Sequence, residues 1–490
     1  MVGTLQREPG ILRRPYALPT IGSWSLVFLA AFESLAVTTI MPIVTADLDG
    51  RALYSVAFSA ALAAGVIGMV MFGSWADRVG PARPLLTAIG LFGAGLVLAG
   101  SASTMTVFVG GRFLQGLGAG GITVALYVLV AKMYPPVLHI RIFGAFATAW
   151  VLPSMIGPFA AGLVADAWGW HWVFLGVLVL VAAATAMIVP ALREHHTRTG
   201  PGPAEPSDTS AGPDLVESSG TSAGPDLVEP PGPRATGSER TGGGRSAGRR
   251  TGAAVVVATA VVALGYAVEL DGGLAWLVAP AVLGVVAYAA RGLLPAGTYR
   301  AKPGLPAAVL LCGVAGAVFY GTEVYLPLLL QERYGLPAWL AGVTLTAAAV
   351  AWALASALQG RLGDRLSPRR AVTAGAVVLA AGAVTELVTV ALMLPAAVVT
   401  AGWFLAGAGM GTLYPRMGTL VLAYSEPGRE GFNTSAKSIT DAVGGSVALA
   451  LAGLIFGALG AASTRAPYLG VMAFTSVIGL SAVLLARRVG

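Results

Sequence analysis

Long apolar runs separated by short polar loops fill this chain almost from end to end, and their spacing predicts fourteen membrane-spanning helices. In the first part of the chain the runs fall at 21–45, 53–75, 83–100, 105–131, 141–165 and 172–192. In the last part they fall at 305–330, 338–359, 371–392, 395–423, 434–459 and 467–486. Between these sets lie two shorter runs, 253–268 and 274–293, joined by the acidic turn Glu269-Leu-Asp271-Gly-Gly. Inside a bilayer every backbone polar group must be satisfied internally, so runs of this length imply helices and the expected fold class is an all-α membrane protein. The stretch 193–252 breaks the pattern: it is rich in Gly, Pro, Ser and Thr and carries mixed charge. It reads as a disordered cytoplasmic linker. Its near-tandem repeat, Ser210 to Glu217 and again Ser222 to Glu229, is either a duplicated docking motif or slippage in an unconstrained segment.

The loops orient the bundle. Arg78 and Arg83 fall in 76–83, and Lys132 and Arg141 in 132–141, whereas 46–52 holds two aspartates and one arginine and 101–104 is uncharged. Basic loops alternate with non-basic ones, which places both termini in the cytoplasm. The resulting division is a tail at 1–20, a six-helix half at 21–192, the linker at 193–252, an extra hairpin at 253–294 and a second six-helix half at 295–490.

The halves echo each other. Gly73-Ser-Trp-Ala-Asp77-Arg78-Val-Gly80 recurs as Gly360-Arg-Leu-Gly-Asp364-Arg365, with the aspartates 287 residues apart. Gly111 to Gly120 recurs as Gly402 to Gly411 at an offset of 291. Pseudo-symmetric halves suit a carrier that rocks about a central site. Asp77 and Asp364, with Arg78 and Arg365, are positioned to close a charge network where helices end at the inner face.

Composition narrows the class. The chain has 490 residues, is 56% hydrophobic and 11% charged, and has a mean hydropathy of +0.78; soluble domains carry about 25% charged residues. The net charge of +7 is the signature of basic inner loops and not of nucleic-acid binding. The single cysteine, Cys312, excludes an intrachain disulfide, and the four histidines show no metal-ligand spacing. No Gly-x4-Gly-Lys-[Ser/Thr] loop and no Ser-His-Asp constellation occur, so no cofactor and no enzyme activity are expected, and an ion gradient is the expected energy source. Twenty-seven arginines against three lysines, with abundant Ala, Gly and Pro, point to GC-rich codons and so to a bacterial plasma membrane.

Charges inside apolar runs carry the chemistry. Glu33 lies about 12 residues into the first span, ~18 Å along a helix and near mid-bilayer. An ionised carboxylate there must face a cavity or a partner, unless it stays neutral for packing. Arg112, near the outer third of the fourth span, cannot shed its proton and must pair or reach water; its repeat mate is Trp403. Pro153, Gly157, Pro158 and Gly162 place two helix-bending prolines and two small residues in the fifth span. Lys437 and Asp441, at i and i+4, either neutralise each other or line a cavity. With Asn433, Gln115, Trp150 and Glu323 they form the set of candidate cavity residues. Glu323 is either a second protonatable site or a span-end residue, and Glu386 lies deep in its span.

These residues resemble the major facilitator superfamily, and within it the 14-span drug/proton antiporter family. Asp77, Arg78 and Gly80 match the loop motif G-x-L-a-D-r-x-G-r-k, with Trp75 at the leucine and Pro81-Ala82 at the basic pair. Arg112, Gln115, Gly116 and Gly118 match R-x-x-q-G-x-g, in which the arginine is tied to proton coupling. Gly157, Pro158 and Gly162 match the antiporter motif G-x-x-x-G-P-x-x-G-G, from which Pro153 and Ala161 depart. Glu33 stands at the aspartate of a first-span motif, nine residues before Pro42. The resemblance implies the major facilitator fold, proton coupling through Glu33 and Arg112, and gating through Gly73, Asp77, Arg78, Gly80, Asp364 and Arg365. It implies export of amphiphilic, possibly cationic, small molecules against protons, and the expected partners are the small-molecule substrate, protons and the lipid bilayer, with the chain as a monomer. An importer or uniporter, a lipid exporter, and a membrane sensor or scaffold working through the linker are the alternatives.

Overall fold

The computed structural model describes residues 11–12, 16–198, 242–267, 274–362, 367–426, 429–460 and 464–489. Fifteen α-helices dominate them: α1 (Ala17–Asp47), α2 (Tyr54–Val79), α3 (Ala82–Gly100), α4 (Met105–Met133), α5 (Pro136–Trp168), α6 (His171–Arg198), α7 (Gly242–Tyr266), α8 (Leu274–Ala290), α9 (Leu305–Glu323), α10 (Tyr325–Tyr334), α11 (Ala338–Leu362), α12 (Pro368–Leu392), α13 (Ala396–Ala423), α14 (Glu430–Gly460) and α15 (Ala466–Ala486). There is no strand among the described residues. Counting α9 and α10 as one, thirteen helices are long and apolar enough to cross a membrane; α8, with 17 residues, is shorter.

Two sequence expectations are corrected. The run 305–330 is not one helix: it breaks at Val324 and continues to Tyr334. Pro327 is the physical reason, because it has no N–H to return to the carbonyl of Glu323. Glu323 is thereby buried at a helix junction rather than placed at a span end. The expected linker 193–252 is also helical at both of its ends. Helix α6 runs on to Arg198 and α7 starts at Gly242, since extending an anchored helix adds one hydrogen bond per residue fixed. The repeat 210–229 and the pair Asp364 and Arg365 lie outside the described residues.

The internal duplication governs the packing. In the first half α4 lies against α2 and α3, α1 against α5 and α6, and α3 against α6. In the second half α13 lies against α11 and α12, α9 against α14 and α15, and α12 against α15. The register agrees at atomic level. A Cβ on Gly116 would meet the carbonyl oxygen of Ala61 at 2.0 Å, and one on Gly407, 291 residues on, would meet that of Ala348 at 2.2 Å. Glycine at these positions lets two backbones touch, which is how helices associate where no hydrophobic force separates side chain from lipid. At the end of α2, Gly80 turns the chain into α3 at φ +87°, a conformation that a side chain disfavours.

The halves meet along two seams, α5 with α11 and α2 with α14, which the duplication relates to each other. The hairpin α7–α8 covers the second seam. Val257, Ala258, Val261 and Leu264 pack on Ala63 and Ile67 of α2 and on Ala450 and Leu454 of α14. The first seam is tight at Gly162, whose Cβ would lie 2.6 Å from the Trp339 Cα, whereas a Cβ on Gly157 would make an ordinary 3.4 Å contact with Phe32. Gly162→Val therefore overpacks the seam, at a cost of about 1–3 kcal/mol. A thermal unfolding scan in detergent is expected to show a clearly lowered midpoint for Gly162→Val and little change for Gly157→Ala.

Candidate functional site

The glycine-rich segment of α4 decides where its one charge goes. Gly116 meets α2 at Ala61, and Gly118 meets α3, where a Cβ would come within 2.5 Å of the Phe92 amide nitrogen. With those two faces committed, Arg112 reaches α1, where Glu33 lies, while Gln115 packs against Gly95 of α3. Arg112 and Glu33 are each only 4% exposed. One Arg112 nitrogen, Nη1, donates both to Glu33 Oε1 and to Gln115 Oε1, the latter at 2.7 Å. Arg112 Nε and Gln115 Nε2 have no hydrogen-bond partner. The pair is thus buried but incompletely satisfied, the arrangement in which the cost of removing either partner is highest. The second half has no buried ion pair among its described residues: at the repeat position Trp403 is buried and stacks on Phe319 at 4.5 Å.

A second polar group ties the halves together at the end of the bundle that carries Arg51. Arg51 Nη2 bonds Glu332 Oε2 at 2.7 Å, and Tyr468 donates to the same oxygen at 2.7 Å. Tyr54 donates to the Val324 carbonyl at 2.6 Å, and Gln331 to the Thr39 carbonyl at 3.1 Å. Arg51, Tyr54, Glu332 and Tyr468 border a cleft of about 670 Å³ lined also by Tyr325, Phe456 and Arg333. Sequence reasoning missed this group. Its bonded partners lie 136 to 292 residues apart, and only the polar character of Glu332 and Arg51 marks them.

The other candidates are distributed. Asp77 and Arg78 are exposed on the last turn of α2, and among the described residues neither forms an ion pair. Gly73 faces Val124 of α4. Pro153 and Pro158 are buried within an unbroken α5, and Trp150 is 51% exposed. Asn433 donates its amide to Ser425 Oγ at 2.9 Å and so belongs to the turn between α13 and α14. Lys437 and Asp441 do not pair with each other; both engage Tyr414, the ammonium over its ring at 3.7 Å and the carboxylate accepting from its hydroxyl at 3.1 Å. Glu386 is fully buried with neither oxygen hydrogen-bonded. Among the described residues no group of His, Cys, Asp or Glu is placed to hold a metal.

Residues 23–392 match the family model of the Major Facilitator Superfamily. An uncharacterised MFS-type transporter of Mycobacterium tuberculosis is 34% identical over 171 residues, 34% of this chain and 25% of that protein. A probable multidrug-efflux transporter of the same organism is 32% identical over 165 residues, 34% of this chain and 35% of that protein. The matched region thus spans about a quarter to a third of these relatives. A crystal structure of an auto-inhibited POT family peptide transporter superimposes with a TM-score of 0.64 at 18% identity, over 96% of this chain and 97% of that one; this likeness is one of fold.

Two outcomes test the geometry. Glu33→Leu or Arg112→Leu alone leaves an uncompensated buried charge or a broken network and is expected to cost about 3–5 kcal/mol, while the double substitution recovers most of it; a thermal-stability double-mutant cycle reads this directly. At the Arg51 end the exposed ion pair is worth about 0.2–1 kcal/mol, and the buried Tyr54 bond leaves an unsatisfied carbonyl when removed. In a Ser55→Cys background, where the native Cys312 is buried, an impermeant maleimide is expected to label faster after Tyr54→Phe than after Arg51→Ala.

Proposed function

The chain belongs to the major facilitator superfamily, and from that premise we propose that it is a proton-coupled exporter of amphiphilic, possibly cationic, small molecules, working by alternating access in a bacterial plasma membrane with both termini in the cytoplasm. The buried Glu33–Arg112 pair carries the reading. Arginine keeps its charge at any accessible pH, so in this dry site the carboxylate is the group that can change state. Protonating Glu33 removes the counter-charge and leaves Arg112 with a neutral acid and one amide oxygen. That state is relieved when the helices move and admit water to the guanidinium. The proton thus biases one conformation over the other by destabilising an electrostatic contact, which is the differential interaction a coupled equilibrium needs.

A cationic cargo favours the ionised carboxylate, and a proton abolishes it. Substrate and proton then compete, and by linkage each lowers the affinity for the other, which is antiport. The Arg51–Glu332–Tyr468 and Tyr54–Val324 contacts hold the bundle closed at the end assigned to the outside, and Asp77 with Arg78, and Asp364 with Arg365, act at the opposite end. Relatives that include a protein named as a probable multidrug-efflux transporter support the direction of transport.

Ethidium efflux from cells expressing the chain tests the proposal. Efflux is expected to collapse when a protonophore is added and to be lost in Glu33→Gln. Efflux from Glu33→Gln that matches the parent under a pH gradient refutes the mechanism.

A further inference from the structure

The second half holds a ladder of aromatic rings that the Glu33–Arg112 pair does not use. Trp403 stacks on Phe319 at 4.5 Å, Phe319 meets Trp352 edge-on at 5.4 Å, and Trp352 meets Tyr414 at 5.7 Å. Four helices contribute: α9, α11, α13 and, with Lys437 and Asp441, α14. Apart from Trp403, these side chains are all partly exposed, although they sit well within apolar spans. A ring ladder with one accessible side is a surface for a flat apolar body.

Its charged end is already filled. The Lys437 ammonium sits 3.7 Å above the centre of the Tyr414 ring, where the ring quadrupole attracts a cation. Asp441 accepts from the Tyr414 hydroxyl through Oδ2, and its Oδ1 is buried against Gly316 of α9 without a hydrogen-bond partner. No ion pair joins Lys437 to Asp441, so the lysine occupies the ring face without using up the carboxylate. The ammonium rides on a flexible four-carbon stem and can swing off the ring without moving the helix.

We infer that the partly exposed side of this ring ladder is a binding site for an organic monocation with a flat apolar body, and that Lys437 is a tethered cation that occupies the site until cargo displaces it. The cargo's positive centre takes the Tyr414 face, within the field of the Asp441 carboxylate that accepts from the same hydroxyl, and its body lies along Trp352 and Phe319. Lys437 lowers apparent affinity by competing for the same face, which lets a bound cation leave again. The inference rests on the export reading for its physiological meaning, but binding is measured without transport.

The test is ethidium binding, read by fluorescence polarisation, to the purified full chain in detergent. Lys437→Gln empties the ring face and is expected to tighten binding by about 10-fold. Lys437→Met, which keeps the length without the charge, is expected to do the same, whereas Lys437→Arg stays near the parent and Asp441→Asn weakens binding. Thermal midpoints near that of the parent certify the fold of each variant. Unchanged or weaker ethidium binding in both Lys437→Gln and Lys437→Met overturns the inference, as does an absence of ethidium binding in the parent and both variants. Binding of anilinonaphthalenesulfonate that disappears in Lys437→Gln also overturns it, because the lysine would then recognise an anion. Loss of proton-linked efflux in Glu33→Gln is a separate result: it bears on the coupling proposal and leaves the binding series to stand or fall by itself.

Discussion

A guanidinium that cannot lose its proton is enclosed in the first half of this protein, and much of the surrounding structure accommodates it. Burying an isolated charge is costly enough that a partner must be supplied, and α1 supplies it as Glu33. The faces of α4 beside Arg112 carry glycine, so that α2 and α3 press against bare backbone. The close packing and the charge thus come from one segment. The glycines remove freedom of position, and the ion pair then fixes α4 relative to α1.

The duplication shows how one scaffold carries two chemistries. Helix pairs match between the halves, and so do the glycine contacts at residues 116 and 407. The contents differ: where the first half places Arg112, the second places Trp403, and the space around it fills with rings instead of an ion pair. The asymmetry separates a buried ion pair from a ladder of aromatic rings, while both remain on helices that pack against the seams. The hairpin α7–α8 covers the α2–α14 seam and not the α5–α11 seam, so the two related interfaces have different surroundings.

The membrane class, a helix at each of the fourteen apolar runs, the duplication and the need of Glu33 and Arg112 for a partner or a cavity were legible in the chain, because each depends on local properties: apolar length, loop charge, glycine spacing, and the cost of an isolated charge in lipid. Boundaries were less legible. Pro327 ends α9 while hydropathy continues, and α7 extends back into a stretch of linker composition.

Partnership was not legible. Nothing in the order of residues says that Glu33 and Arg112, 79 positions apart, share a bond, that Glu332 meets Arg51 across 281 positions, or that Lys437 turns to Tyr414 instead of to Asp441 one turn away. The sequence by itself determined which residues must be enclosed in lipid and which of those cannot remain alone there. Only the tertiary structure decided who their partners are, because a hydrogen bond or a ring contact acts over a few ångströms, and helix packing alone brings distant residues that close.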